Sequence, residues 1–144
     1  MRAYISGALL NAADLDRSRA VYEAFAAACR EAGWETYLPH EHADPIRDAH
    51  LTNRDVAERD LDEITASDAV VAYIGEPSLG VGAEVALALT TGKRVLAVAD
   101  EGRRVSRFLV GLLELHPDSA SFYRYRSLDD ACAWIRRTLI SLVQ

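Results

Sequence analysis

The chain has 144 residues, of which 50% are hydrophobic and 26% are charged. This length supports one sizeable hydrophobic core but not two, so we expect a single domain over residues 1–144. The 22 acidic residues outnumber the 16 basic ones and leave a net charge of −6. That balance argues against a nucleic-acid partner, because such binding depends on Lys and Arg contacts to phosphates. No segment resembles a signal peptide or a transmembrane helix, so no membrane partner is expected.

The two cysteines, Cys29 and Cys132, lie far apart within helical patterns. Their spacing fits neither a metal site nor a disulfide-rich scaffold. We therefore expect two buried thiols in a reducing compartment, which predicts a cytoplasmic location.

Short apolar segments alternate with longer amphipathic ones along the chain, which is typical of strands joined by helices in a parallel sheet. In chain order, this pattern predicts a strand at 2–6, a helix at 14–32, a strand at 34–38, an irregular loop at 39–53, a helix at 54–66, a strand at 68–74, a helix at 81–91, a strand at 94–99, a helix at 105–115, a strand at 121–125 and a helix from the Ser127 cap to 143. The third strand is apolar throughout, as expected when helices cover both faces. The fold class is therefore α/β: a single-domain, Rossmann-like (flavodoxin-like), doubly wound, five-stranded parallel sheet with helices on both faces.

Ligands of such sheets bind beyond the carboxyl ends of the strands, which points to residues 4–10, 75–84 and 100–106. The second segment is the richest in suitable groups. Gly80 and Gly82 can bring backbone N–H groups close to a ligand, and Ser78 adds a hydroxyl. The helix that follows presents its positive dipole end, so this segment is expected to hold a phosphate.

Glu84 lies about one turn inside the helix that follows the glycine turn, where its carboxylate can point back to the strand ends. A carboxylate so placed can attack an anomeric carbon and form a covalent glycosyl ester. The spacing alone leaves a second interpretation open, because an acidic residue near a helix N-terminus is often a surface charge that compensates the dipole.

Several motifs together resemble a known family. They are Asp60-Leu61, the run Asp-Ala-Val-Val-Ala at 68–72, the run Pro-Ser-Leu-Gly-Val-Gly at 77–82, Glu84, Tyr4 and Gly7 in the opening strand, and Gly102 with Arg-Val-Ser at 104–106. The chain resembles the nucleoside 2-deoxyribosyltransferase superfamily over most of its length. Within it, the closest likeness is to the 2'-deoxynucleoside 5'-phosphate N-hydrolases.

This resemblance implies roles for individual residues. Glu84 matches the nucleophile, Asp60 matches an acid that orients the sugar and takes part in proton handling, and Tyr4 matches an aromatic hydroxyl beside the sugar and the nucleophile. Substrate and phosphate binding is assigned to Gly7, Ser78, Gly80, Gly82 and Ser106. Ser106 matches a serine donated across a dimer interface, which implies a homodimer with composite sites. No metal ion and no organic cofactor is implied.

Taken one at a time, some of these residues have simpler interpretations. Tyr4 could be a core aromatic residue with a satisfied hydroxyl, Asp60 a solvated helix charge and Ser106 a helix cap. The alternation of His40, His42 and Asp44 raises the hypothesis of a metal site, but the sequence shows no further ligand. Lining of a base pocket, or a surface position, fits these three residues better.

The chain departs from the N-hydrolase pattern at two places. Residues 8–13 lack the arginine of a phosphate cradle, so the backbone amides, Ser78, Ser106 and one of Arg103, Arg104 and Arg107 would have to bind the phosphate. Ala83 replaces a bulkier aromatic residue before the nucleophile and is expected to reshape the pocket.

The resemblance thus implies hydrolysis of the N-glycosidic bond of a (2'-deoxy)nucleoside 5'-monophosphate, releasing free base and (deoxy)ribose 5-phosphate through a glycosyl-Glu84 intermediate. One alternative is a nucleoside 2-deoxyribosyltransferase that uses the same intermediate. Another is a non-catalytic nucleotide-binding or sensing module. The motif at 77–82 and Ser106 favour the hydrolase, whereas the altered loop at 8–13 favours the transferase.

Overall fold

The computed structural model describes residues 1–9 and 14–144. Its strands are β1 (Arg2–Ser6), β2 (Glu35–Tyr37), β3 (Ala69–Tyr73), β4 (Arg94–Asp100) and β5 (Ala120–Tyr125). The helices within the described residues are α1 (Leu15–Glu31), α2 (Pro39–His42), α3 (Asn53–Ala66), α4 (Leu79–Thr90), α5 (Arg107–Glu114) and α6 (Leu128–Ser141). The strands form one parallel sheet in the order β2-β1-β3-β4-β5. The doubly wound fold predicted from the sequence is confirmed.

Two hydrophobic clusters cover the two faces of the sheet. Residues of α1 and α6 pack with Ile5 and Val71 on one face. Residues of α3, α4 and α5 pack with Tyr4 and Val70 on the other. Successive residues of a strand point to opposite faces, so β1 directs Tyr4 and Ser6 toward the face that α4 covers.

The irregular loop predicted at 39–53 begins instead with the short helix α2. Pro39 occupies its first turn, where a fixed φ and a missing N–H are no disadvantage. The following turns are held by Asp44, which is 3% exposed, pairs with Arg19 and accepts hydrogen bonds from the N–H groups of Ile46 and Arg47. The sequence pattern did not predict these turns, because they depend on the contact between Asp44 and Arg19 of α1.

Helix α4 begins two residues before the predicted start at Val81. Ser78 is its N-cap, and the Ser78 hydroxyl accepts a hydrogen bond of 3.3 Å from the N–H of Val81. Gly80 and Gly82 therefore lie within the first turns of α4 rather than in a preceding turn. Capping by Ser78 satisfies one otherwise free amide and outweighs the low helix propensity of the two glycines.

The sheet order places β1 beside β3 at its centre. The chain leaves β1 toward one edge of the sheet and leaves β3 toward the other, which opens a crevice at the carboxyl ends of these two strands. Within the described part of the chain, no helix is long and apolar enough to cross a membrane. Cys29 is buried as expected, whereas Cys132 is only partly buried, and neither forms a disulfide.

Candidate active site

A cavity of about 1320 Å³ lies at this crevice. Of the residues expected in the site, those that border it are Gly7, Asp60, Ser78, Gly80, Gly82, Glu84 and Ser106. They come from β1, α3, α4 and the start of α5, segments widely separated in sequence. Tyr4 does not border the cavity.

The Glu84 carboxylate is held by two hydroxyl groups of β1. The Tyr4 hydroxyl donates a hydrogen bond of 2.9 Å to Oε1, and the Ser6 hydroxyl donates one of 2.5 Å to Oε2. Each carboxylate oxygen keeps a further lone pair. Glu84 is thus fixed in orientation and still faces the cavity, so it is not merely a surface charge.

The groups around Glu84 have opposite effects on its pKa. Burial raises the pKa of Glu84 to about 7, the hydrogen bonds from Ser6 and Tyr4 lower it, and the nearby Asp60 carboxylate raises it. A carboxyl group with this pKa is about half ionised at pH 7, and the buried anion is poorly hydrated. Both properties favour a nucleophile.

Tyr4 is fully buried and stacks on Tyr37 with ring centroids 5.6 Å apart. Burial raises the pKa of its hydroxyl, and the neighbouring Glu84 and Asp60 carboxylates raise it further. The phenol therefore stays protonated and acts as a donor. Tyr4 is thus a core aromatic residue with a satisfied hydroxyl and also the hydrogen-bond partner of the Glu84 carboxylate.

Asp60 borders the cavity from α3. Burial raises the pKa of Asp60 to about 6, which the charge of Arg59 and the Tyr4 hydroxyl partly offset. Its Oδ1 atom is buried and has no hydrogen-bond partner among residues 1–9 and 14–144. A buried acceptor without a partner is costly, so Asp60 is suited to accept a proton or a hydrogen bond from a ligand.

The N-terminus of α4 has free donors. The N–H of Gly82 donates to the Ser78 carbonyl, whereas those of Leu79 and Gly80 have no acceptor within the described residues. The Ser78 hydroxyl accepts from Val81 but keeps its own proton. An anion here would meet two amides, one hydroxyl and the positive end of the helix dipole.

The glycines of the site serve different purposes. A Cβ on Gly82 would meet no atom within 4 Å, and one on Gly80 would meet only Ser78 Oγ, at 3.8 Å. Nothing in the fold itself therefore requires glycine at these positions, and both border the cavity. By contrast, a Cβ on Gly7 would lie 2.2 Å from the Tyr22 ring, so Gly7 is required for packing.

The charged lining of the cavity is mostly acidic. Arg104 is the one basic residue among the described residues that border it. Of the three arginines considered from the sequence, the structure therefore brings only Arg104 to the cavity. Ser106 caps α5 through a 3.3 Å bond from the N–H of Leu109 and is exposed.

Other expectations turn out differently. Ala83 is exposed and does not border the cavity, so the reshaping expected there is not seen. Leu9 borders the cavity, while residues 10–13 of the altered loop lie outside the described residues.

The three residues of the metal hypothesis do not come together. His40 is buried and faces Glu23, His42 stacks on Tyr37, and only Asp44 borders the cavity. In the described part of the chain, no three His, Cys, Asp or Glu side chains are grouped as metal ligands.

The sequence interpretation missed Ser6. The signal was available, because Ser6 lies two positions after Tyr4 on a strand and must point to the same face. It missed Glu76 as well, which borders the cavity beside Ser78 and has one buried carboxylate oxygen without a partner in the described residues.

The fold and the site define a flavodoxin-like α/β protein with a carboxylate, held by two hydroxyls, at the point where the strand order reverses. A family model described as nucleoside 2-deoxyribosyltransferase matches residues 3–129, and the chain belongs to this family. The resemblance inferred from the motifs is confirmed.

Similar proteins include N-hydrolases, N-glycosidases and transferases. A Thermofilum pendens protein named as a 2'-deoxynucleoside 5'-phosphate N-hydrolase is 40% identical over 74 residues, which are 50% of this chain and 51% of that protein. The chain spans about half the length, or less, of the curated relatives it matches.

Two solved structures share the fold. A CMP N-glycosidase from Clostridium botulinum superposes with a TM-score of 0.72 at 20% identity, covering 96% of this chain and 99% of that one. A 2-deoxyribosyltransferase from Bacillus psychrosaccharolyticus gives 0.68 at 19% identity, covering 96% of each chain.

Proposed function

We propose that this chain hydrolyses the N-glycosidic bond of (2'-deoxy)nucleoside 5'-monophosphates, with Glu84 as nucleophile. The observation that carries the proposal is the Glu84 carboxylate, which borders the cavity while both of its oxygens accept hydrogen bonds from β1. The N-hydrolase name of a relative that is 40% identical over 74 residues supports the same reaction. Residues 1–144 act as one catalytic domain in this proposal.

In the first step, a Glu84 oxygen forms a bond to C1' of the sugar and the C1'–N bond breaks. The electron pair of that bond goes to the leaving base, which takes up a proton. Asp60, with a pKa raised to about 6 by burial, is a suitable donor, since part of it is protonated near neutral pH. The product of this step is a glycosyl ester on Glu84.

In the second step, water adds to C1' and the bond between C1' and the Glu84 oxygen breaks. The electron pair returns to the carboxylate, and the Asp60 carboxylate accepts the proton of the water. Free (deoxy)ribose 5-phosphate leaves, and both acids are restored. No metal ion or organic cofactor takes part in these steps.

The 5'-phosphate binds at the N-terminus of α4. The N–H groups of Leu79 and Gly80, the Ser78 hydroxyl and Arg104 supply the donors, and the open space at Gly80 and Gly82 allows close approach. This set replaces the arginine that the loop at 8–13 lacks.

The working unit is a homodimer in which Ser106, which also borders the cavity of its own chain, reaches the site of the partner. Leu79 is 96% exposed and Phe108 is 76% exposed, and both border the cavity. Exposed apolar side chains that are grouped at one cavity are typical of an interaction surface. A volume of about 1320 Å³ exceeds that of most small-molecule pockets, about 300–1,000 Å³, and a second subunit would close it. We place the reaction in the cytoplasm, in keeping with the two unpaired thiols.

A second candidate is base exchange by the same chemistry, in which a free base rather than water attacks C1'. The family model of transferases and the altered loop after β1 favour it. A silent nucleotide-binding module would not need Glu84 and Asp60 at one cavity, with Tyr4 bonded to the Glu84 carboxylate.

A panel of nucleoside 5'-monophosphates and nucleosides, followed by chromatography of the released base, tests these candidates. The hydrolase releases base and sugar phosphate, and Glu84→Gln abolishes the release. Adding a second free base yields an exchanged nucleoside only with a transferase. Tight nucleotide binding without turnover would favour the silent module, and full activity of Glu84→Gln would exclude the mechanism.

A further inference from the structure

The Ser6 hydroxyl lies at the carboxyl end of β1, directly behind the Glu84 carboxylate. Ser6 is fully buried, and its hydroxyl donates to Glu84 Oε2 at 2.5 Å. It lies two residues after Tyr4, and so β1 presents two donors in a row on the face that α4 covers. Neither Ser6 nor Tyr4 borders the cavity.

We propose that Ser6 is a positioning residue that fixes the second oxygen of Glu84 and favours the ionised form of this carboxylate. This inference rests on the proposed function, in which Glu84 is the nucleophile. Ser6 does not touch the substrate and acts only through Glu84.

The first part of the argument is geometric. With a single donor on Oε1, the carboxylate could still rotate about the Cγ–Cδ bond of Glu84. A second donor on Oε2 fixes the plane of the group, and Glu84 borders the cavity in this orientation. A misplacement of a reacting group by about 1 Å can lower the rate of such a step by about a hundredfold.

The second part is electrostatic. The groups that face Glu84 are Tyr4 and Ser6 from β1 and Asp60 from α3. Burial and the Asp60 carboxylate favour the protonated form of Glu84, and the two hydroxyls favour the ionised form. The pKa of about 7 is thus a balance. Without the Ser6 donor the balance shifts toward the protonated, non-nucleophilic acid.

The same donor also assists the second chemical step. When the bond between C1' and Glu84 breaks, the electron pair returns to the carboxylate, and a hydrogen bond from Ser6 stabilises that charge. Ser6 therefore supports both formation and release of the ester.

The test uses Ser6→Ala, which removes the donor, and Ser6→Cys, which keeps the shape but offers only a weak donor. Ser67→Ala is the matched control, since Ser67 is 1% exposed and donates to the Glu63 carbonyl away from the cavity. The first measurement is the ratio of variant to wild-type kcat/KM across the pH range, which reports ionisations of the free enzyme.

Loss of one charge-assisted hydrogen bond is expected to raise the pKa of Glu84 by about one unit in Ser6→Ala, with a smaller rise in Ser6→Cys. kcat/KM then falls roughly tenfold at pH 6, while the variants approach the wild type at high pH. Ser67→Ala leaves kcat/KM near the wild-type value at each pH. A ratio of Ser6→Ala to wild-type kcat/KM that does not change with pH would overturn the inference.

A second measurement needs no activity and therefore separates this inference from the proposed function. The unfolding free energy of Ser6→Ala relative to the wild type should fall as the pH rises above about 7, because the variant holds its Glu84 proton longer in the folded state. In the Glu84→Gln background, the Ser6→Ala effect should not depend on pH. A pH-independent effect in both backgrounds would contradict the role of Ser6 whether or not the protein releases a base.

Discussion

Tyr4 and Glu84 are joined by a hydrogen bond of 2.9 Å although they lie 80 positions apart. Tyr4 is fully buried and does not border the cavity, so any effect it has on a reaction passes through the carboxylate.

Tyr4→Phe should therefore lower kcat and leave KM nearly unchanged. A hydrogen bond to a charged group contributes about 1.5 to 3 kcal/mol, which corresponds to a loss of roughly tenfold to a hundredfold. Steady-state kinetics on the best nucleotide measures both constants. Tyr123→Phe, which removes a hydroxyl bonded to Asp130 far from the cavity, is the control. A rise in KM at constant kcat would instead indicate that Tyr4 contacts the substrate.

The raised pKa of Glu84 has a consequence for stability. As the pH rises from about 4.5 to about 7, the unfolded chain loses the Glu84 proton while the folded protein keeps it. The folded state then binds more protons than the unfolded one, so the unfolding free energy falls with rising pH. Above pH 7 this loss is complete.

Glu84→Gln should remove that dependence. Relative to the wild type, the variant should gain about 2 to 3 kcal/mol of stability between pH 4.5 and pH 8. Urea unfolding across this range measures the difference. Glu114→Gln is the matched control, because Glu114 is exposed on α5. Parallel pH curves for the wild type and Glu84→Gln would show that the carboxyl is not perturbed.

Gly82→Ala should stabilise the protein and weaken its activity at the same time. The new methyl group meets no atom, and alanine raises helix stability by about 0.5 to 1 kcal/mol. The same methyl group narrows the space in which the phosphate approaches α4. Thermal unfolding and kcat/KM together measure this trade-off.

Thr65→Ala is its control, since it improves helix propensity at an exposed position of α3 that does not border the cavity. It should stabilise without loss of activity. Unchanged kcat/KM in Gly82→Ala would argue against ligand binding at this turn.

Arg104→Gln should discriminate between substrates with and without a phosphate. Arg104 is the one basic residue bordering the cavity in the described part of the chain, so its loss should raise KM for a 5'-monophosphate by about tenfold or more. KM for the matching nucleoside should barely change. Arg107→Gln, three positions further along the chain and outside the cavity lining, should affect neither. Equal effects on both substrates would contradict a phosphate role.

Mixing two inactive variants tests the composite dimer. If Ser106 serves the partner's site, a heterodimer of Glu84→Gln and Ser106→Ala contains one intact site. After denaturation and refolding together, activity should rise well above that of either variant alone. If Ser106 serves its own chain, mixing brings no gain. Refolding each variant alone is the control.

Local patterns in the sequence predicted most of the architecture. The run at 69–73 is fully buried as its apolar composition implied, and Ser127 caps α6 as expected. The glycine segment was interpreted as a turn because glycine disfavours helices, yet Ser78 starts the helix before Gly80. The Ser78 cap favours a helix there and the low helix propensity of glycine disfavours it. The residue types alone did not show which effect is larger.

The sequence by itself determined the parallel α/β fold, the family and Glu84 as the candidate nucleophile. Periodicity and short motifs are local properties, so they can be recognised without the structure. Only the tertiary structure placed Ser6 behind Glu84, buried Tyr4 out of the cavity and brought Arg104 to its wall. These relations arise where the ends of β1 and β3 meet α4 and the segment after β4. They are contacts between side chains that are distant in the sequence. Tertiary packing decides such contacts, and the local sequence around each residue does not.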